Sequence, residues 1–340
     1  MSRTVPMPGR KASPIRQDSL VTMAPLSSGA TLPLLVQPTV PDLDLVEWGR
    51  GRRATLEPLL RRHGALLFRG FQVSGLAGFE TFVETVAGDP LPYMEQTSPR
   101  HKVHGNLYTS TEYPPEHRIF LHNELSYAHT WPLKILFFCV TPADEGGETP
   151  LADVRRVRAR IPATIRERFA RDGWMLLRNL GTGYGLSWQT VFQTDSRDEV
   201  DRYCRENGIQ CEWLSTERLR MREPRRAVTT HPVTGEEVWF NHATFFHVST
   251  LDPRTSAGLL GEFAEEDLPY NTYYGDGTAI EPDVLDILRS AYEQETVTFA
   301  WRRDDVLLVD NMLVAHGRAP FRGPRKVLVG MAEPRSAQPA

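Results

Sequence analysis

Cysteine is scarce: Cys139, Cys204 and Cys211 are the only three in 340 residues. Three thiols cannot complete a disulfide framework, and no CxxC pair marks a structural zinc site. They read as buried or incidental thiols of a reducing cytosol. No apolar run reaches the roughly 18 to 20 residues that a membrane span needs. The opening MSRTVPMPGRKASPIRQDSL is basic but has no apolar centre, so it does not read as a secretory signal, and the expected location is cytoplasmic. An excess of one charge is also missing. At a net charge of −4, with Lys and Arg spread along the chain, nothing points to a nucleic-acid partner. The glycine-rich stretches DEGGETP and GYGLSW match neither a P-loop nor GxGxxG, which removes the common nucleotide-binding frames.

What is present is the composition of an ordinary globular protein, 40% hydrophobic and 24% charged. Residues 1–30, rich in Pro, Ser and Arg, read as a disordered tail ahead of a single domain over 31–340. Leu56, Leu59 and Leu60 suit one helix face, GALLFRGF a buried strand, and LAGFETFVETVAG a second helix. RIFLHNELSY and LKILFFCV read as strands on either side of a Trp-Pro break. A helix is expected after Asp153, with helical pattern over 155–172. Further strands are expected at GWMLLRNL, AVTTHP, EEVWFNHATFFH, TVTFAWRRDDVLLVDNMLVAHGR and RKVLVGMAEP, and a mostly helical insert at 254–294. Many short strands with grouped helices predict a mainly β fold with helical decoration, a sandwich or barrel rather than a doubly wound sheet.

The stretch IFLHNELSYAHTWP sets His122 and Glu124 two apart in an apolar run. On a strand they would share one face and grip one cation from one side. The bland reading is a half-exposed strand with a polar side. A second piece, LLVDNMLVAHGRAPFRGPRKVLVGM, ends a buried run at His316 and follows it with Arg318, Arg322 and Arg325. Alone, His316 reads as a core histidine and Arg325 as a surface ion-pair partner. Together the pieces offer two imidazoles and a carboxylate, the set that holds non-haem Fe(II) while leaving positions open. A 2-oxo acid filling two of those positions needs a cation for its far carboxylate, and an arginine suits it best.

These motifs, with YTSTEYPPEHRIFLHNELSYAHTWP, FFCVTPADEGGETPLADVRRV, HPVTGEEVWFNHATFFH and YGDGTAI, resemble over about residues 60–333 the TauD/TfdA-type Fe(II)/2-oxoglutarate-dependent dioxygenases, in their SyrP-like amino-acid hydroxylase branch. The resemblance implies a double-stranded β-helix (jelly-roll) core, with His122, Glu124 and His316 as iron ligands and Fe(II), 2-oxoglutarate and O2 as cofactor and co-substrates. Arg325, or in its place Arg318 or Arg322, would hold the distal carboxylate of 2-oxoglutarate, and Thr149 would lend its hydroxyl. Glu124 fills the place that related halogenases leave small for chloride, which argues for hydroxylation. Tyr108, Thr111, Tyr113, Trp239, Asn241 and Arg318 are candidate substrate contacts. His242 and His247 read as pocket or core residues rather than further ligands. WRRDDVLL departs from the family pattern by placing Asp304 at a glycine position.

The expected reaction is hydroxylation of an unactivated C–H of an amino acid or an amino-acid-derived intermediate in antibiotic or other natural-product biosynthesis. That substrate is either free or tethered to a peptidyl carrier protein. Desaturation, epoxidation and cyclisation are alternative outcomes of the same chemistry. A zinc hydrolase and a non-catalytic jelly-roll binding protein are the competing classes.

Overall fold

The computed structural model describes residues 20–91, 102–110 and 113–336. Its frame is an eight-stranded sheet in the order 21–25, 34–38, 65–68, 306–310, 130–141, 326–336, 107–109, 102–104. Its strands are apolar at almost every position because both faces are covered. Alternate side chains divide between two cores. Ala65, Leu67, Ile135, Phe137, Leu307, Val309, Val327 and Val329 point to one. Leu66, Phe68, Leu136, Phe138, Val306, Leu308 and Leu328 point to the other. The second core is closed by the helices Arg53–His63 and Gly75–Ala87 through Leu56, Leu60, Phe79, Phe82 and Val86. The first core joins this sheet to a smaller one, ordered 296–297, 151–153, 314–318, 119–122. Two sheets over one core are the expected jelly-roll, and the candidate ligands His122 and His316 lie on the smaller sheet.

Several expectations change. Val21–Pro25, inside the expected tail, is a strand antiparallel to Leu34–Pro38. The strand Thr130–Thr141 runs straight through Trp131-Pro132, because pairing to 306–310 begins only at Lys134 and Pro132 has no donor to supply there. The expected helix after Asp153 forms, capped by the Asp153 carboxylate accepting from Arg155 N. It stops at Arg160 before Pro162, and a second helix covers Ala163–Asp172. Only Glu237–Trp239 of EEVWFNHATFFH is strand. The helical insert holds the helices Pro253–Glu262 and Pro282–Gln294, but Tyr270–Tyr274, with three tyrosines and a threonine in five residues, pairs with Trp174–Arg178 in a third sheet.

Cys204 and Cys211 are not separate thiols. Helix Arg197–Glu206 turns back into strand Gln210–Trp213, bringing their Cα atoms to 6.5 Å, and the two form a disulfide. The thiol-based argument for a reducing compartment therefore falls away. Cys139 alone stays free and buried, and burial lifts its thiol to about 12. No helix among the described residues is long and apolar enough to cross a membrane.

Asp304 keeps the turn that glycine would make: its φ is +66°, and its N–H donates to Cys139 O at 2.9 Å. Aspartate tolerates this left-handed region better than most side chains. Beside it, Arg69 and Asp305 form a buried bidentate pair at 2.6 and 3.0 Å, and Arg69 also donates to Ala300 O. This ties the loop before 306–310 to the end of 65–68. Asp305→Ala should lower urea-measured stability by about 3–5 kcal/mol through the uncompensated guanidinium, and the double change Arg69→Met with Asp305→Leu should recover most of it. Equal losses in the single and double variants would mean that the charge pairing is not what matters.

Candidate metal centre and active site

The strand Ile119–His122 runs antiparallel to Val314–Arg318 with His122 directly opposite His316, and the two rings lie 4.6 Å apart. The strand ends there, so Glu124 does not share a strand face with His122 as expected. It sits in a turn, with Leu125 at φ +55°, and the turn carries its carboxylate back towards the imidazoles. The buried side chain of Asn311 dictates this turn. Its Oδ1 accepts from Glu124 N at 2.7 Å, and its Nδ2 donates to Glu124 O at 2.9 Å and Pro132 O at 2.8 Å. The Asn123 amide donates to Asn311 O at 2.7 Å.

Ligand atoms of His122, Glu124 and His316 all lie within 4.8 Å of one another, and all three residues are buried. His316 Nε2 is 3.7 Å from Glu124 Oε2. His122 Nδ1 lies 2.9 Å from Phe120 O and donates to it, so Nε2 is the basic nitrogen. Two imidazoles and one carboxylate converging from one side fit a divalent iron and leave its other side open.

A narrow cavity beside the two imidazoles is bordered by Ser110, Thr149, Gly317, Arg318 and Arg325. The three candidate arginines separate here. Arg322 is exposed against Glu145 at 3.4 Å and is outside the site. Arg318 spends both terminal nitrogens on the carbonyls of Tyr113, Pro114 and His117 at 2.7 to 2.9 Å, so it clamps the loop 113–117. Arg325 donates from Nε to Gly147 O at 2.8 Å and makes only a long contact, 3.4 Å, from Nη1 to Ser110 Oγ. No described carboxylate lies within ion-pair distance of it. Burial, then the Arg318 charge, lower its guanidinium to about 10, still charged at neutral pH. Gly147, at φ +74°, lets Arg325 pass: a Cβ there would sit 3.0 Å from Arg325 Cδ. Thr149 Oγ1 accepts from Trp301 Nε1 at 3.1 Å in the same wall.

On the other side of Glu124, a cavity of about 480 Å³ opens to solvent between His122, Tyr127, His242, Phe245, Phe246 and Tyr270. His242, Phe246 and Tyr270 stack in series at 5.0 and 5.4 Å. Burial holds His242 neutral, well below the usual imidazole range, and the nearby His122 adds to this. His247 is turned away to cap residues 248–250, and burial beside Arg289 lowers it to about 4. Of the expected substrate contacts, Tyr113 lines this cavity. Tyr108 is instead packed in the core on strand 107–109, and Trp239 is packed against Phe169. Asn241 holds its own loop through Ala227 O and Ala243 N. Thr111 lies outside the described residues. Phe245 and Phe246 are signalled in the sequence by the run ATFFH, whereas Tyr127, in ELSYAH, carries no such signal.

Residues 28–332 match the family described as "Taurine catabolism dioxygenase TauD, TfdA family". The dapdiamide synthesis protein DdaC of Enterobacter agglomerans is 39% identical over 310 residues, covering 91% of this chain and 94% of that one. A clavaminate synthase-like protein of Arabidopsis thaliana is 29% identical, covering 82% and 84%. In fold, the chain is similar to PvcB of Pseudomonas aeruginosa at a TM-score of 0.53 and 17% identity, with 94% of each chain covered. With the converging His-Glu-His set on a jelly-roll frame, these likenesses have one reading: the chain belongs to the TauD/TfdA family and is an iron- and 2-oxoglutarate-dependent dioxygenase.

Proposed function

We propose that this enzyme oxidises an unactivated C–H, by hydroxylation, in an amino acid or amino-acid-derived intermediate of a natural-product pathway, free or carried on a peptidyl carrier protein. The 39% identity to a dapdiamide synthesis protein along most of both chains supports a biosynthetic substrate of that kind. In this reading His122, Glu124 and His316 hold the iron, and Arg325 with Thr149 receives the far carboxylate of 2-oxoglutarate. The observation that carries it is Arg325: a partly buried cation with no described carboxylate partner, in the same narrow cavity as both imidazoles. A hydrolase needs no such cation, which counts against the zinc reading.

Bound iron with 2-oxoglutarate and O2 supplies the oxidising power, and the protein supplies placement. Phe137, Val327 and Val329 keep water from the co-substrate side. The aromatic wall of the larger cavity holds the substrate on the other side. Glu124 occupies the position a halide would need, which supports oxygen transfer.

The decisive assay is succinate release from 2-oxoglutarate by Fe(II)-loaded protein under air, run with free amino acids and aminoacyl thioesters. Substrate-stimulated succinate should appear and should vanish in His316→Ala. Failure of 2-oxoglutarate to bind the anaerobic Fe(II) protein would sink the assignment. Arg325→Gln should weaken 2-oxoglutarate binding by about 10- to 100-fold, the scale of hydrogen bonds to a charged group, while Arg322→Gln changes nothing. Asn311→Ala should weaken Fe(II) binding by about 10- to 100-fold by releasing the Glu124 turn. Unchanged Fe(II) titrations in that variant would show that Glu124 is held by other means.

A further inference from the structure

The mechanism above leaves one buried polar arrangement unused. Ser126, only 6% exposed, follows Glu124 by two residues, and its hydroxyl lies 2.5 Å from His242 Nδ1. Among the described residues this is the only hydrogen-bond partner of that hydroxyl. If Nδ1 carried the proton of a neutral imidazole, the hydroxyl would have no acceptor in a buried place, at a cost of about 1–3 kcal/mol. The arrangement that satisfies both groups has Ser126 donating to Nδ1 and the imidazole proton on Nε2. His242 Nε2 has no described protein partner, and the ring borders the large cavity with its centroid 5.5 Å from that of His122.

We propose that His242 anchors the substrate, its Nε2–H donating to a neutral carbonyl oxygen, of an amide or thioester, close to the carbon that reacts. A neutral acceptor is favoured because the deep wall beside His242 is aromatic, formed by Tyr127, Phe245 and Phe246. Apart from Glu124, which is turned to the metal site, the cavity's charged groups Arg118 and Asp252 are solvent-exposed, with side chains 51% and 37% accessible. Charged ends of a substrate therefore belong near the mouth and its carbonyl deep inside. This rests on the proposed amino-acid-derived substrate and names the group by which it is held.

The test uses full-length protein loaded with Zn(II), which accepts the same ligands and keeps the sample diamagnetic, and with 2-oxoglutarate. Nitrogen NMR of ¹⁵N-histidine-labelled protein should report His242 as the Nε2–H tautomer. N-methylacetamide, a single-carbonyl probe, should shift that resonance saturably. Ser126→Ala should let the Nδ1–H form appear. By calorimetry His242→Phe should bind the probe about fivefold more weakly, the worth of one neutral hydrogen bond, and His242→Gln should restore part of the loss. An Nδ1–H tautomer in the unaltered protein, or a probe that leaves the His242 signal in place while 2-oxoglutarate is bound, overturns the inference. If His242→Phe does not fold, the unaltered and Ser126→Ala spectra still decide. Absent 2-oxoglutarate binding in the same sample would instead count against the co-substrate reading.

Discussion

The site depends on the hydrogen bonds of Asn311. Its amide and backbone make five bonds, to Asn123, Glu124, Pro132 and Leu133, with no exposure to water. A carboxylate on a turn would ordinarily wander, whereas side chains on paired strands do not. Asn311 removes that difference by satisfying both the N–H and the carbonyl of Glu124 from the end of a central strand. Hydrogen bonds of this kind matter chiefly for what is lost when one partner goes, since a buried amide has no water to turn to. Glu124 is thereby fixed as firmly as the two histidines that share a register.

The two sides of the metal centre differ in physical character. One is narrow and ends in the partly buried Arg325 guanidinium, whose approach is shaped by Gly147. The other is wide, aromatic and open, with Arg118 and Asp252 exposed and Glu124 buried in its wall. His122 borders both, so the small sheet stands between a narrow cationic cavity and a wide aromatic one. Trp301 extends the rigid part further. It reaches Thr149 from the loop that Arg69 and Asp305 hold, which ties the wall of the narrow cavity to the eight-stranded sheet.

Much of this is legible from residue type and order. The doubly buried strands announce themselves as unbroken apolar runs, and His122, Glu124, His316 and Arg325 stand in motifs long enough to be distinctive. What does not show is decided by contacts between distant parts of the chain. The turn at Glu124 cannot be seen without Asn311, which lies 187 residues away. The strand Tyr270–Tyr274 reads as part of a helical region until Trp174–Arg178 supplies a partner. Tyr108 and Trp239 look like pocket residues by chemistry and are core by placement. Arg318 and Arg322 could be told from Arg325 only by what each one touches, and the pairing of Cys204 with Cys211 only by the reversal of the chain between them.

The aromatic wall has a different standing from the rest of the centre. Phe245 and Phe246 sit on an irregular segment between Trp239 and the short helix at Val248, outside both sheets of the jelly-roll. Residues on such segments can be exchanged without disturbing strand register. The aromatic wall and the strands that carry His122 and His316 thus come from separate parts of the chain. Divergence within a lineage, or deliberate redesign, can change Phe246 without touching the strands that carry the two histidines, whereas Phe245, its ring 4.5 Å from that of His122, is tied to the centre.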